Sequence, residues 1–69
     1  MIELSVIDVM GSIKRDGMPV GFIIPERVLK DKKIGSEQSF TFDDIIVRGT
    51  ITEYLPSIRA FDVYFINAN

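Results

Sequence analysis

The sequence contains no cysteine and no histidine among its 69 residues. Without cysteine, the chain can form neither a disulfide framework nor a thiolate metal site. The two absences together also remove the usual nucleophile and base pairs of covalent catalysis, and no spacing of serine, threonine, lysine or carboxylate residues replaces them. No glycine-rich stretch has phosphate-binding spacing. We therefore expect a protein that is not an enzyme and that uses no cofactor.

Long apolar runs are missing as well. No stretch of the sequence approaches the ~18 consecutive apolar residues that are needed to span a bilayer. The first residues also lack the charged and apolar regions of a secretory signal. We therefore expect a cytoplasmic protein that does not bind a membrane.

Hydrophobic residues are nevertheless abundant, at 46% of the chain. A chain of this length forms a single domain, residues 1–69, and buries only about 60% of the surface that it exposes when unfolded. Apolar surface that one short chain cannot cover can be covered by a second copy of it. The composition therefore predicts a homodimer.

The charges nearly balance, and the formal net charge is −2. This value argues against a protein that coats nucleic acid through bulk electrostatics, because such affinity depends on many phosphate contacts. Residues 1–33 carry six basic and five acidic side chains, whereas residues 34–69 carry two basic and five acidic ones. The first half of the chain is therefore where an anionic partner would bind, if the protein has one.

Alternating apolar residues predict a mainly β protein with one short helix, an α+β fold of about five strands. The clearest local signal is Asp16-Gly17, because a two-residue type I′ turn needs positive φ at both central positions. With that turn, Ile13 faces Val20 in a β-hairpin. Gly11 then lies opposite Phe22, whose ring covers the bare glycine backbone.

The segments on either side of this hairpin are less regular. Ile2, Leu4 and Val6 alternate with polar residues in a predicted first strand, and a phase shift after them indicates a bulge or a strand covered on both faces. After the hairpin, Pro25 suits the first position of a helix. This helix is predicted to run for about two turns and to end at Gly35.

The second half of the chain predicts further strands. Phe40 and Phe42 alternate in a strand that ends at Asp43-Asp44. The strand that follows has an apolar face and a polar face, and the polar face carries Arg48, Thr50, Thr52 and Tyr54. A last strand returns with Phe65 opposite Gly49 if the connecting loop has an odd number of residues.

Two sets of side chains could carry chemistry other than packing. Asp43-Asp44 could hold Mg²⁺, but adjacent carboxylates on a strand point to opposite faces, and aspartate-rich turns form for purely local reasons. We therefore interpret the pair as a turn. The tyrosines and phenylalanines could stack on single-stranded nucleic acid. Because no basic residues are interleaved with them, we interpret most of them as core residues, with Tyr54 and Arg59 as a candidate cation–π pair.

The basic residues form two clusters. Lys30, Lys32 and Lys33 fall at the end of the predicted helix, where cations interact favourably with the helix dipole. Lys14 and Arg15 stand just before the hairpin turn, where side chains can reach phosphates or base edges, as they do in β-ribbon readers of DNA. A pair of solvated charges is the alternative interpretation of Lys14 and Arg15.

Residues 11–42 resemble the swapped-hairpin DNA-binding domain of the AbrB and MazE type. The resemblance rests on Gly11, on Lys14-Arg15 before the hairpin turn, and on the apolar run Phe22-Ile23-Ile24-Pro25. It continues through Val28 and Ile34 into the alternating strand of Phe40 and Phe42. It implies a small antiparallel barrel or a swapped-hairpin dimer, in which two chains interleave their hairpins. It also makes Lys14 and Arg15 the residues that face DNA in a repressor or antitoxin-like regulator.

A second hypothesis is a protein-interaction module, such as a phage- or plasmid-encoded inhibitor of a host protein. Val20-Gly21 stands where the AbrB and MazE family has Gly-Arg, so one arginine expected to contact DNA is missing. The net negative charge and the apolar last hairpin also favour this alternative. Its candidate interface residues are Arg48, Thr52 and Tyr54 on the polar face of the long strand.

Overall fold

A computed structural model describes residues 1–29 and 31–66, and the chain in it is mainly β. One open, mixed sheet contains six strands in the order β1-β4-β5-β6-β3-β2. Their bounds are β1 (Ile2–Glu3), β2 (Gly11–Arg15), β3 (Met18–Pro25), β4 (Glu37–Phe42), β5 (Ile45–Leu55) and β6 (Ala60–Phe65). The sequence predicted about five strands and an antiparallel barrel. The structure adds a sixth, because the short β1 pairs parallel to β4.

The sheet curls around one small core. Its inner face carries the fully buried side chains of Ile24, Ile51 and Val63, and the opposite face is called the outer face below. Leu4 and Leu29 lie outside the long strands and complete the same cluster with Phe40. The edge strands β1 and β2 are joined directly by residues 4–10, so the chain itself runs across the gap between the two edges.

The predicted β2–β3 hairpin is confirmed, but its register is not the predicted one. Asp16 and Gly17 have φ values of 53° and 79°, as a type I′ turn requires. A β-bulge after Ile13 then pairs Ile13 with Gly21 and Gly11 with Ile23. Because the bulge inserts one extra residue on β3, the predicted pairing of Gly11 with Phe22 is wrong.

The start of the chain is not one continuous strand. After β1, residues Val6–Asp8 form a single 3₁₀ turn. The backbone N–H of Asp8 donates to the carbonyl of Ser5, and the Asp8 carboxylate accepts from the Ser5 N–H at 2.9 Å. This local hydrogen bonding competes with strand pairing and accounts for the phase shift that the sequence shows after Val6.

The structure does not confirm the predicted helix after Pro25. Within the described residues of this segment, Val28 N–H donates to the Pro25 carbonyl and Leu29 N–H to the Glu26 carbonyl, which are isolated turns rather than a helical ladder. Pro25 itself still pairs with Ala60 as the last residue of β3. The segment serves to bury Leu29 completely in the core. None of the described residues belongs to a helix long and apolar enough to cross a membrane.

The two connections of β5 are tight. Asp43 and Asp44 have φ values of 53° and 67°, so the acidic pair forms a two-residue turn between β4 and β5. At the other end of β5, Phe65 pairs with Gly49 as predicted. Four residues connect β5 to β6, and an extra residue, Thr52, sits in a bulge after Ile51. The prediction required an odd number of residues in the connecting loop. The loop has an even number, and Thr52 in the bulge provides the extra residue.

Candidate functional site

Lys14 and Arg15 end β2, immediately before the hairpin turn, and both side chains are exposed. Neighbouring residues of a strand point to opposite faces. Because β2 itself contains no extra residue, Arg15 shares the outer face with Ile13, whereas Lys14 points to the other side of the hairpin. The two basic side chains that were predicted to bind DNA therefore lie at the same tip but on different faces of it.

The other arginines of the chain are already neutralised by carboxylates. Arg27 pairs with Asp8 at 2.9 Å, Arg48 with Glu37 at 2.8 Å and Arg59 with Glu26 at 3.2 Å. Among residues 1–29 and 31–66, Arg15 is the arginine that makes no ion pair. Arg15 is therefore the arginine whose charge is not shared with a carboxylate of the same chain.

Arg15 faces the same side of the sheet as a row of residues that crosses five strands. In this row Glu37 pairs with Thr50, Thr50 with Tyr64, Tyr64 with Gly21 and Gly21 with Ile13. Residues that pair directly across strands share a face. Tyr64 is therefore an aromatic residue at the centre of the outer face, with a threonine on one side and a glycine on the other.

Gly21, which pairs with Tyr64, is buried and tightly packed. A Cβ at this position would collide with the backbone carbonyl oxygen of Val63. No larger residue fits there without a backbone shift. Close strand packing therefore requires glycine at this position, and Ile13 Cδ1, 3.2 Å from the same Cβ position, covers the glycine.

A small cleft lies between the hairpin and the end of β6. Its volume is about 150 Å³. It is lined by Arg15, Pro19, Val20, Tyr64 and Phe65. The cleft thus combines an arginine without an ion pair with an aromatic ring, although these two residues are far apart in the sequence. The pair could not be recognised in the sequence, because the aromatic and basic residues are not interleaved along the chain.

The predicted protein-interface residues Arg48, Thr52 and Tyr54 do not form one surface. Arg48 points outward and bonds Glu37. Thr52 is the bulged residue, and its hydroxyl donates to the Asp62 carbonyl at 3.3 Å. The bulge reverses the alternation, so Tyr54 lies on the inner-face side of the sheet, where its ring packs on Phe61 at 4.9 Å between centroids. The prediction that these residues share one polar face is wrong.

Tyr54 belongs instead to a cluster that binds the β3 end to the β5–β6 hairpin. Its hydroxyl donates to Glu26 Oε1 at 2.7 Å, and Arg59 Nε bonds Glu26 Oε2 at 3.2 Å. The hydrogen bond to the carboxylate raises the pKa of Tyr54 above its ordinary value, because ionisation would remove the donated proton. Desolvation and the negative charge of Glu26 raise the pKa further. Tyr54 and Arg59 therefore meet through a shared carboxylate, and the structure shows no cation–π contact between them in the described part of the chain.

A wider groove lies beside this cluster, lined by Pro25, Glu26, Arg27 and Arg59. Its volume of about 530 Å³ exceeds that of the Arg15 cleft. Both of its arginines are held by carboxylates, Arg27 by Asp8 and Arg59 by Glu26. The groove therefore offers little charge to a ligand, and we regard the smaller cleft as the better candidate site.

The 3₁₀ turn near the start of the chain is held by charge and presents apolar side chains. The Ser5 backbone N–H, the Ser5 hydroxyl and the Arg27 guanidinium lower the pKa of Asp8. Beside this network Val6 is 75% exposed and Ile7 is 79% exposed. The turn thus displays two adjacent branched apolar residues to solvent.

The described residues contain no cluster of three or more acidic side chains that could hold a metal ion. Asp43 and Asp44 are accounted for by their positive φ values, which aspartate tolerates better than most residues. These two carboxylates therefore belong to a turn. Among the described residues, no further acidic side chain joins them to form a metal site.

No protein-family model matches the chain, and neither a curated protein nor a solved structure matches it significantly.

Proposed function

We propose that this protein is a small, non-enzymatic DNA-binding protein that contacts the phosphate backbone through Lys14 and Arg15. The observation that carries the proposal is that the basic side chains at the hairpin tip make no ion pair among the described residues. Arg27, Arg48 and Arg59 are each neutralised within the chain, whereas Arg15 and the neighbouring Lys14 project without an ion pair among the described residues. The function would be regulatory, in the manner that the resemblance to AbrB and MazE domains implies, and the location cytoplasmic.

The shape of the tip fits this role. A two-stranded β-ribbon is narrow enough to enter the major groove of DNA. The turn at Asp16-Gly17 places Lys14 and Arg15 on its two faces, from which each can reach a different phosphate. Two phosphate contacts give weak binding, and a homodimer would double their number at a site with twofold symmetry.

Homodimerisation is the second part of the proposal. Exposed apolar residues lie at several places on the described surface, including Met18 at the hairpin tip and Ile46 on β5. In one chain, β3 pairs with β6. The same pairing can form between two chains if the β2–β3 hairpin is exchanged, because domain swapping preserves the contacts of the closed monomer. A light-scattering mass near twice the 7.8 kDa of one chain would support this proposal.

The DNA proposal is tested by retention on a column of immobilised duplex DNA at increasing salt. Lys14→Ala with Arg15→Ala should abolish retention or reduce the slope of log affinity against log salt by about 1.8, which is about 0.9 for each lost phosphate contact. Lys32→Ala with Lys33→Ala is the matched control, since it removes the same charge from another exposed segment. Its retention should stay near that of the unmodified chain.

Two results would contradict the proposal. The first is that the unmodified chain passes through the column at low salt. The second is that the two double variants lose retention equally, because net charge rather than the hairpin tip would then govern binding.

A protein partner is the alternative function, and the exposure of Val6 and Ile7 favours it. Hydrogen bonds and an ion pair to Asp8 fix the turn that displays them. Under this alternative, Val6→Ser with Ile7→Ser should remove the partner from a nuclease-treated pull-down, while the Lys14 and Arg15 variant should retain it. The reverse pattern would support the DNA proposal.

A further inference from the structure

We infer that the cleft beside Tyr64 receives one unpaired base of single-stranded DNA, while Arg15 binds the adjoining phosphate. This inference rests on the proposed function and deepens it, because it names the form of DNA that completes the site. The five residues that line the cleft supply the two groups that such a ligand requires, an aromatic ring and a free guanidinium.

Tyr64 is half-buried on the outer face, and part of it lines the cleft. Its partners across the strands are Thr50 and Gly21, both smaller than tyrosine. Gly21 cannot be enlarged without a clash with the Val63 carbonyl. Aromatic side chains on an exposed sheet face stack on bases of any sequence, since every base has a π face.

The charges on the outer face indicate on which side of Tyr64 a phosphate backbone would bind. Two residues before Tyr64 on β6 is Asp62, which pairs with Glu53, so one side of the ring is acidic. Arg15 lies beyond Ile13 on β2, which runs parallel to β6, and therefore borders the other side. A phosphate backbone would run past Tyr64 on the Arg15 side, away from the acidic pair.

The size of the cleft limits the ligand. At about 150 Å³ it is smaller than the ~300–1,000 Å³ of pockets that hold drug-sized molecules. It therefore suits one planar group rather than a whole dinucleotide cofactor. Bases in a duplex are stacked on their neighbours and cannot enter the cleft, so the ligand must be a single strand. An acidic peptide would satisfy Arg15 but would leave Tyr64 without a stacking partner.

The fluorescence of Tyr64 gives a direct test. The chain has two tyrosines and no tryptophan, so Tyr64 is the only source of that emission in a Tyr54→Phe variant. Titration of this variant with an oligothymidylate of about 10 nucleotides should quench the emission in a saturable and salt-dependent way. Circular dichroism should be used as a control to show that the variant is folded.

Two substitutions separate stacking from charge. Tyr64→Val should weaken oligothymidylate binding by about 5- to 150-fold, the loss expected for one stacked base, and should leave duplex binding unchanged. Tyr64→Phe, which keeps the ring, should retain most of the affinity. Arg15→Ala should weaken binding to both forms of DNA.

The outcomes distinguish this inference from the proposed function. If duplex DNA binds through Lys14 and Arg15 but oligothymidylate does not quench Tyr64, the inference is overturned and the proposed function stands. Quenching of equal strength by polyglutamate would overturn the inference in favour of an acidic peptide. If neither form of DNA binds at low salt, both proposals fail.

Discussion

Phe22 and Phe42 lie on strands that are separated by two others in the sheet, yet their ring centroids are only 6.0 Å apart. Phe22 also meets Phe65 edge to face at 4.9 Å. A flat sheet would hold β3 and β4 about 14 Å apart, three times the spacing between neighbouring strands. The phenylalanine contacts therefore show that the sheet curls until its inner face nearly closes.

Removal of the Phe22 ring should weaken the packing that keeps the sheet curled. Phe22→Ala is expected to lower the free energy of unfolding by roughly 2–4 kcal/mol, somewhat below the loss at a fully buried phenylalanine because Phe22 is only half-buried. Urea unfolding followed by circular dichroism measures the change. Lys33→Ala at an exposed position is the control and should cost less than about 0.5 kcal/mol. Equal losses in the two variants would contradict the described packing.

The close contact at Gly21 predicts a difference between two glycines. Gly21→Ala should destabilise the fold by about 1–3 kcal/mol, because its methyl group would collide with the Val63 carbonyl. Gly11→Ala on the neighbouring strand is the matched comparison, since its Cβ would meet only the Ile23 side chain at an ordinary 3.5 Å. That variant should be neutral or slightly stabilising, because alanine restricts the unfolded chain. Thermal unfolding that ranked the two in the opposite order would refute the described register.

The bond between Tyr54 and Glu26 predicts a loss of stability at alkaline pH. Because the pKa of Tyr54 is raised in the folded state, the folded chain holds this proton more tightly than the unfolded chain does. The associated stability is complete below the unfolded pKa of about 10 and is lost as the pH rises through the folded value. Tyr54→Phe should therefore flatten the fall in stability above this pH.

The pKa itself can be measured in a Tyr64→Phe variant, where Tyr54 is the remaining tyrosine. Phenolate absorbance should show ionisation above the usual pH. Glu26→Gln removes the neighbouring negative charge, so it should bring the pKa of Tyr54 back towards its ordinary value. An unchanged titration curve in Glu26→Gln would show that the carboxylate is not the cause.

Local chemistry made parts of this fold predictable. Asp16-Gly17 specified its turn because few residue pairs accept positive φ twice. Phe65 pairs with Gly49 as predicted, although Val63 Cγ1, and not the Phe65 ring, lies nearest to the position of a Cβ at Gly49. The helix after Pro25 was not predictable in the same way. Favourable residues for a first helical turn are present, but pairing with β6 keeps Pro25 in the sheet and burial of Leu29 bends the chain into turns.

The bulges explain why the candidate site was only partly predicted. An extra residue on β3 shifts the β2–β3 register, and the bulge at Thr52 moves Tyr54 to the other face from Arg48. Neither insertion leaves a clear mark in apolar alternation. Lys14 and Arg15 could be identified as exposed basic residues from their place beside a turn. The proximity of Arg15 to Tyr64 depends on the pairing of three strands, which no local pattern contains.

The gap between the two edge strands has a consequence for how the molecule opens. β1 contributes two residue pairs to the sheet, and β2 is bonded along one side. Residues 4–10 therefore cross the place where the curled sheet is not closed by hydrogen bonds between strands. They also supply Leu4 to the core. Opening of this connection would release β1 and uncover Leu4, whereas the β2–β3 hairpin would stay attached to the sheet through the five residue pairs between β3 and β6.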